Sequence, residues 1–202
     1  MNSVDPLTKE ELADIKEYLL AEDRIRDYAL LTLGVNWALR ISDIIGRRGD
    51  NPTEPIRVKG VVKEDGTIKN TFKIKEDKTD KTNELVINDS CKEALEKLFD
   101  KYPVLKTCKE CALIFNLKDK MKSISRVQAY RLINEWCSVI GVGDKKVGTH
   151  TFRKSWATMA LNEGYHIELI REKLNHSSQE ITQRYLGLTQ KRINDMCNDL
   201  NL

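Results

Sequence analysis

The run that decides how this chain is read begins at Thr149-His150-Thr-Phe-Arg153-Lys-Ser-Trp-Ala-Thr158. It continues through Leu174-Asn-His176 to Thr182-Gln-Arg-Tyr185. Its pattern predicts three successive helices. Thr151 to Glu163 is ended by Gly164, Ile167 to Leu174 follows, and Ser177-Ser-Gln-Glu180 caps a third helix that carries Tyr185. His150 and Arg153 stand one helical turn apart and share a face. Taken singly these residues say little. An HxxR arises easily by chance, and a tyrosine on a C-terminal helix is more often a half-buried core aromatic than a nucleophile.

Working outward, the preceding half divides into helix, strand and helix again. Thr8-Lys-Glu-Glu11 is a capping box, and Leu12, Ile15 and Leu19 then share one face. A second helix is predicted from about Arg24 into Trp37. Ala38-Leu39-Arg40-Ile41 follows, with Ser42 as a possible cap for a short helix. Gly49-Asp50-Asn51-Pro52 breaks the chain. Ile56 to Val62 is β-branched, Asp65-Gly66 is a hairpin signal, Ile68 to Ile74 alternates, and Leu85-Val86-Ile87 closes the set. Lys75 to Thr82 reads as a polar turn. These segments predict a three-stranded antiparallel sheet packed on the flanking helices. Ser90-Cys-Lys-Glu93 then predicts a helix to about Lys101. Ser125-Arg-Val-Gln128 opens another, with Val127, Leu132, Ile133 and Trp136 inside, and the tail after Thr189 is amphipathic through Ile193, Met196, Cys197 and Leu200. The expected fold class is α+β: one mainly helical domain over 1–202 with a small sheet.

Composition narrows the class without choosing a function. A 40% hydrophobic share suffices for a core, and 34 basic against 31 acidic residues leave a net charge of only +3. Nucleic-acid binding would therefore depend on where the cations sit. No apolar run is long enough to span a bilayer and the N-terminus is not a signal peptide, so a cytoplasmic protein is expected. The odd count of five cysteines argues against a disulfide framework. Cys108-Lys-Glu-Cys111 lacks a second ligand pair, which favours reduced thiols in a turn over zinc.

The segments from Arg40 to Tyr185, taken together, resemble the catalytic domain of the tyrosine recombinases of the phage-integrase family. Leu39-Arg40-Ile41-Ser42-Asp43 is similar to the family's LR[IV]SE-like segment, and Lys78-Thr79 to its KTG-like turn. His150-Thr-Phe-Arg153-Lys-Ser-Trp-Ala-Thr158 is similar to HxLRHTxAT, Leu174-Asn-His176 to LGHxS, and Thr182-Gln-Arg-Tyr185 to TxxY. Asn175 stands where the family usually has glycine, and Lys154 where it usually has histidine. The turn lysine has neighbours, Lys75 and Lys81, that keep its assignment open.

The resemblance implies a DNA strand-exchange enzyme acting through a covalent 3′-phosphotyrosine on Tyr185. Arg40 and Arg153 would clamp the non-bridging phosphate oxygens, His150 would be the base, Lys78 the general acid, and His176 a phosphate donor. No cofactor or metal is implied. Arg47, Arg48, Lys120, Lys122, Arg126 and Arg131 are the candidate contacts to double-stranded DNA. By analogy the partners are that DNA and further copies of the chain, a tetramer on DNA with a monomer as the free form, in the cytoplasm at the nucleoid. The family's separate N-terminal DNA-clamping domain has no counterpart before the match begins. That leaves either a fragment of a longer integrase or a naturally short recombinase. The helix over 189–202 packs either on its own domain or into a neighbour. A type IB topoisomerase-like enzyme and a non-catalytic DNA-binding relative are the competing functions, and the sequence leaves target site and reaction direction open.

Overall fold

The computed structural model describes residues 4–49, 52–76, 82–188 and 190–200. Helix α1 (Lys9–Ala21) starts at the reciprocal capping box of Thr8 and Glu11 and buries Leu12, Ile15 and Leu19. Helix α2 (Ile25–Trp37) is buried on nearly every side and forms the axis of the domain. It ends at Ala38, which takes a left-handed conformation (φ 53°). Helix α3 (Ile41–Ile45) follows directly. Arg40 occupies its N-cap, and no side chain caps it, so Ser42 does not play the capping role expected of it.

The α+β class holds, but the sheet is organised differently from the three-stranded one expected. Ile56 to Val62 is not a strand: Val58–Val61 forms one helical turn, α4. Backbone bonds from Ile56 N to Ile44 O and from Leu113 N to Ile56 O stitch its leading end to segments on both sides. Val58 and Val61 then turn into the core. The β-branched run marks a half-buried surface, and that signal is not specific to a strand. The Asp65-Gly66 hairpin does form, closed by the single Val62–Ile68 bridge, with Gly66 at φ 87°. The ladder proper joins β1 (Thr71–Lys75) to β2 (Thr82–Val86), with Phe72 opposite Leu85 and Ile74 opposite Asn83. Phe72 meets the Trp37 ring edge-on at 4.9 Å, which fastens the ladder to α2.

Helix α5 (Asp89–Lys101) is capped by Asn88, whose side chain accepts from Cys91 N, and not by the Ser90 box. Asn88 lies one residue past the last β-branched position, where the chain leaves the strand in the extended conformation a cap needs. After α6 (Val104–Thr107) comes a second two-stranded ladder, β3 (Phe115–Asn116) with β4 (Asp119–Ser123), which the sequence pattern did not predict. The turn between α6 and β3 brings Cys108 and Cys111 to a Cα separation of 5.4 Å, and they are joined as a disulfide. The expectation of reduced thiols is thereby corrected: that separation lies in the ordinary disulfide range.

Ser125 caps α7 (Arg126–Val139) as expected, but Val127 is exposed; the buried face is Ala129, Ile133, Trp136 and Cys137. Val127 lies in the first turn, half a revolution from Trp136, so the buried stripe begins only at Ala129. Three helices complete the site region: α8 (Thr151–Asn162), α9 (Ile167–Lys173) and α10 (Gln179–Leu186), and α11 (Gln190–Leu200) follows them. Among the described residues no helix is long and apolar enough to cross a membrane.

Two apolar clusters divide the work. The large one gathers α1, α2, α5 and α7 around Leu30, Leu31, Trp37, Leu95 and Trp136. The small one, Ala38, Ala157, Ile170, Leu174 and Leu186, binds α8, α9 and α10 into one unit. Helix α8 lies against α2 where Gly34 leaves room for Phe152. A Cβ on Gly34 would come within 2.5 Å of the Phe152 ring, which is itself stacked on Trp136. Gly34→Ala is therefore expected to destabilise the fold by about 1–3 kcal/mol through overpacking, despite alanine's better helix propensity. Urea unfolding should show it as a lower midpoint at unchanged slope.

Candidate active site

Arg153 is the most deeply placed of the candidate residues, with 2% of its side chain exposed. It projects from the first turn of α8 between the ends of two other helices. Its Nη1 donates to Ala38 O at 2.9 Å, and its Nη2 donates to Leu174 O. Those carbonyls belong to the C-caps of α2 and α9, where helix carbonyls lack intrahelical partners and the helix dipole favours a cation. Burial, and next to it the charge of Arg40, lowers the Arg153 pKa, while Glu76 opposes both.

Arg40 approaches from the α2–α3 junction. Its Nη1 lies 2.7 Å from Glu76 Oε2 and 3.8 Å from Asp43 Oδ2. Glu76, at the end of β1, is fully buried. Its second oxygen accepts from Asn83 Nδ2 at 2.8 Å and from Asn175 Nδ2 at 2.5 Å, and Arg153 Nη1 stands 4.0 Å from the first. Glu76 lies in the segment that its composition marks as a polar turn, yet its side chain is withdrawn from solvent. The carboxylate is buried because two guanidinium groups and two amides surround it.

His176 and Tyr185 meet across the turn between α9 and α10. Their rings stand edge to face, centroids 5.4 Å apart. His176 Nδ1 is 3.0 Å from the hydroxyl of Thr182, which is completely buried. Thr182 was visible in the TxxY run but given no role; its place one turn before Tyr185 on α10 was the available signal. The Tyr185 hydroxyl donates to the main-chain carbonyl of His150 at 3.4 Å, while the His150 residue itself is exposed at the N-cap of α8. Burial pushes the Tyr185 phenol up to about 12, against the opposing pull of Arg153 and Arg40.

Arg40, Arg153, His150, His176 and Tyr185 thus converge on one locality. Lys78 and Lys81 lie outside the described residues, and Lys75 is exposed at the end of β1. A cleft of about 650 Å³ opens beside the site, lined by Arg40 and His150 together with Arg47, Arg48 and Arg126. Arg48 also donates to Ser123 O at 2.9 Å. The other candidate cations are not brought to that cleft. Lys120 lies over the Phe115 ring, Lys122 pairs with Asp119 at 3.1 Å, and Arg131 is exposed further along α7.

The chain that brings together a buried arginine, a half-buried one, a histidine and a half-buried tyrosine beside a basic cleft has clear relatives. The phage integrase family model matches residues 5–192. The chain is 34% identical over 191 residues to the probable integrase/recombinase YoeC of Bacillus subtilis, covering 94% of this chain and 93% of that protein. It is 27% identical to tyrosine recombinase XerC of Thermodesulfovibrio yellowstonii, over 83% of this chain and 52% of that one. Its fold is similar to the crystal structure of the XerH recombinase bound to its difH substrate after cleavage, with a TM-score of 0.65 at 19% identity, over all of this chain and 54% of that one. The chain belongs to the phage integrase family, the tyrosine recombinases. It spans nearly the whole of YoeC and about half of XerC and XerH.

Two measurements bear on the site. An ordinary tyrosine is half ionised near pH 10. The phenolate absorbance lost on Tyr185→Phe is therefore expected to be nearly absent at pH 10 and to grow only towards pH 12. The stability that the neutral phenol contributes is accordingly complete below pH 10 and is lost as pH rises towards 12. Thr182→Val removes the hydroxyl that His176 faces while keeping its shape. It should cost about 1 kcal/mol of stability in chemical unfolding and slow reaction at a phosphodiester without weakening DNA binding.

Proposed function

We propose that the chain is a site-specific DNA recombinase that cleaves and rejoins strands through a covalent 3′-phosphotyrosine. The observation that carries this is the convergence of Tyr185 with Arg153, Arg40 and His176 at one end of a basic cleft. The phenolic oxygen of Tyr185 attacks phosphorus and the bond from phosphorus to the 5′-oxygen breaks. A 3′-phosphotyrosine and a free 5′-hydroxyl result, and the hydroxyl of a second strand reverses the step without an external energy source.

Arg40 and Arg153 stabilise the charge that builds on the non-bridging oxygens. His150, against whose carbonyl the phenol already rests, receives the phenolic proton on its imidazole, and Lys78 delivers a proton to the leaving 5′-oxygen. His176, oriented by Thr182, donates to the same phosphate. Arg47, Arg48 and Arg126 hold the DNA backbone along the cleft, and Lys120, Lys122 and Arg131 extend the contact outside it.

Double-stranded DNA is the substrate; the neighbours of similar fold include XerH bound to its difH substrate and the Tn1549 integrase in complex with transposon right end DNA. Recombination between two sites calls for four copies. Helix α11, whose exposed face carries Met196 and Leu200, is suited to reach a neighbouring copy and couple the sites. The domain over 1–202 would then be the catalytic unit.

Incubation in EDTA with nicked duplexes from the surrounding genome is expected to give a protein–DNA adduct on a denaturing gel, and Tyr185→Phe to abolish it. Firm DNA binding with no adduct on any duplex would sink the catalytic reading and favour a non-catalytic relative. Relaxation of supercoils by single copies, with no recombinant product, would favour the topoisomerase-like one.

A further inference from the structure

We infer that Glu76 is a positioning residue of this site, acting through Arg40 and through the Asn175–His176 turn; the inference rests on the recombinase reading above. Arg153 is fixed without Glu76, since it donates to the carbonyls of Ala38 and Leu174. Arg40 is different. Its short contact is to Glu76 at 2.7 Å, with Asp43 further off at 3.8 Å. A guanidinium matches two phosphate oxygens only when its plane is held, because the fork is rigid and its stem is not. The Glu76 carboxylate supplies that hold. It also offsets the repulsion between two cations brought together in a poorly solvated place.

The other carboxylate oxygen extends the hold to the histidine side of the site. Asn175 precedes His176 and has φ 50°, the left-handed region that glycine adopts at no steric cost and asparagine tolerates. Asparagine adds what glycine lacks, an amide that reaches Glu76 at 2.5 Å. Asn83 on β2 approaches the same oxygen at 2.8 Å. One buried carboxylate therefore joins the β1–β2 ladder, the α2–α3 junction that carries Arg40 and the turn that carries His176.

The test compares wild type, Glu76→Gln and Asn175→Gly on two suicide duplexes, one with an ordinary phosphate at the cleaved position and one with a methylphosphonate. The methylphosphonate lacks the non-bridging charge that the arginines serve. Outer partners that orient metal ligands typically matter about 10- to 100-fold. A loss of that size is expected for Glu76→Gln on the phosphate, shrinking to within about threefold of wild type on the methylphosphonate. Asn175→Gly keeps the left-handed turn and should show a smaller loss with the same selectivity, which keeps the test open if Glu76→Gln folds poorly. Losses equal on both duplexes, or no loss, overturn the inference. Independently of activity, the Arg40 Nε–H resonance, assigned by its disappearance in Arg40→Lys, should be sharp in the free wild type and broadened in Glu76→Gln. No adduct from wild type would remove the recombinase reading alone; an Arg40 resonance unchanged in Glu76→Gln would overturn the role of Glu76 whatever the activity.

Discussion

A permanently charged guanidinium almost wholly removed from water is the constraint around which this domain is arranged. Arginine cannot shed its proton to escape burial, so its surroundings must supply what water would. Arg153 finds it in the C-cap carbonyls of α2 and α9, and in Glu76 at one remove. This fixes more than one side chain. Both acceptors, Ala38 and Leu174, lie in the small apolar cluster, and Ala38 ends α2, whose other buried residues belong to the large one, so the cation sits where the two clusters meet, at the place where the chemistry is proposed. Breaking such an arrangement by removing one partner is far costlier than its net worth suggests, because the charge left behind stays buried.

The same desolvation acts on Tyr185. Burial holds the phenol neutral, whereas the two arginines pull towards the phenolate and do not prevail in the free protein. In the proposed reaction this imbalance has a use. A nucleophile that stays protonated until DNA fills the cleft is not spent on stray electrophiles. In that proposal the incoming phosphate would draw together the base and cations that deprotonation requires. His150 stands where such coupling is cheap: its carbonyl already receives the phenolic hydrogen bond, and the residue faces the cleft beside Arg40.

How much of this was legible depended on whether the information was local. Thr8, Ser125 and the residues of α8 announce themselves because caps and helical periodicity are set within a few residues. Arg40, Arg153, His176 and Tyr185 were legible as a set through their resemblance to a family. Glu76 was not. It lies in a run of charged residues that any local reading assigns to solvent, and its partners Arg40 and Asn175 are 36 and 99 residues away. Ile56 to Val62 failed for the opposite reason. Its β-branched residues report burial faithfully, but whether a buried run pairs as strand depends on a neighbour the local sequence does not name. Cys108 and Cys111 were misjudged because an argument from cysteine count addresses disulfide frameworks and not a bridge across one turn.

The two places where the chain departs from its family's usual residues have a common physical character. Asn175 keeps the left-handed backbone and spends its amide on Glu76. Lys154, next to Arg153, is mostly buried, and its ammonium donates to Val4 O at 2.8 Å, while Leu7 N donates to the hydroxyl of the neighbouring Ser155. Both substituted residues thus act as ties to a distant segment, one to the ladder and one to the strap that leads into α1. Lys154 keeps its place at a cost, since burial lowers its pKa, with Asp5 opposing. Here it fastens the N-terminal segment to the position next to Arg153, and the Leu7–Ser155 bond fastens it again one residue further round the helix, so that α8 is tied down on faces other than the one that carries Arg153.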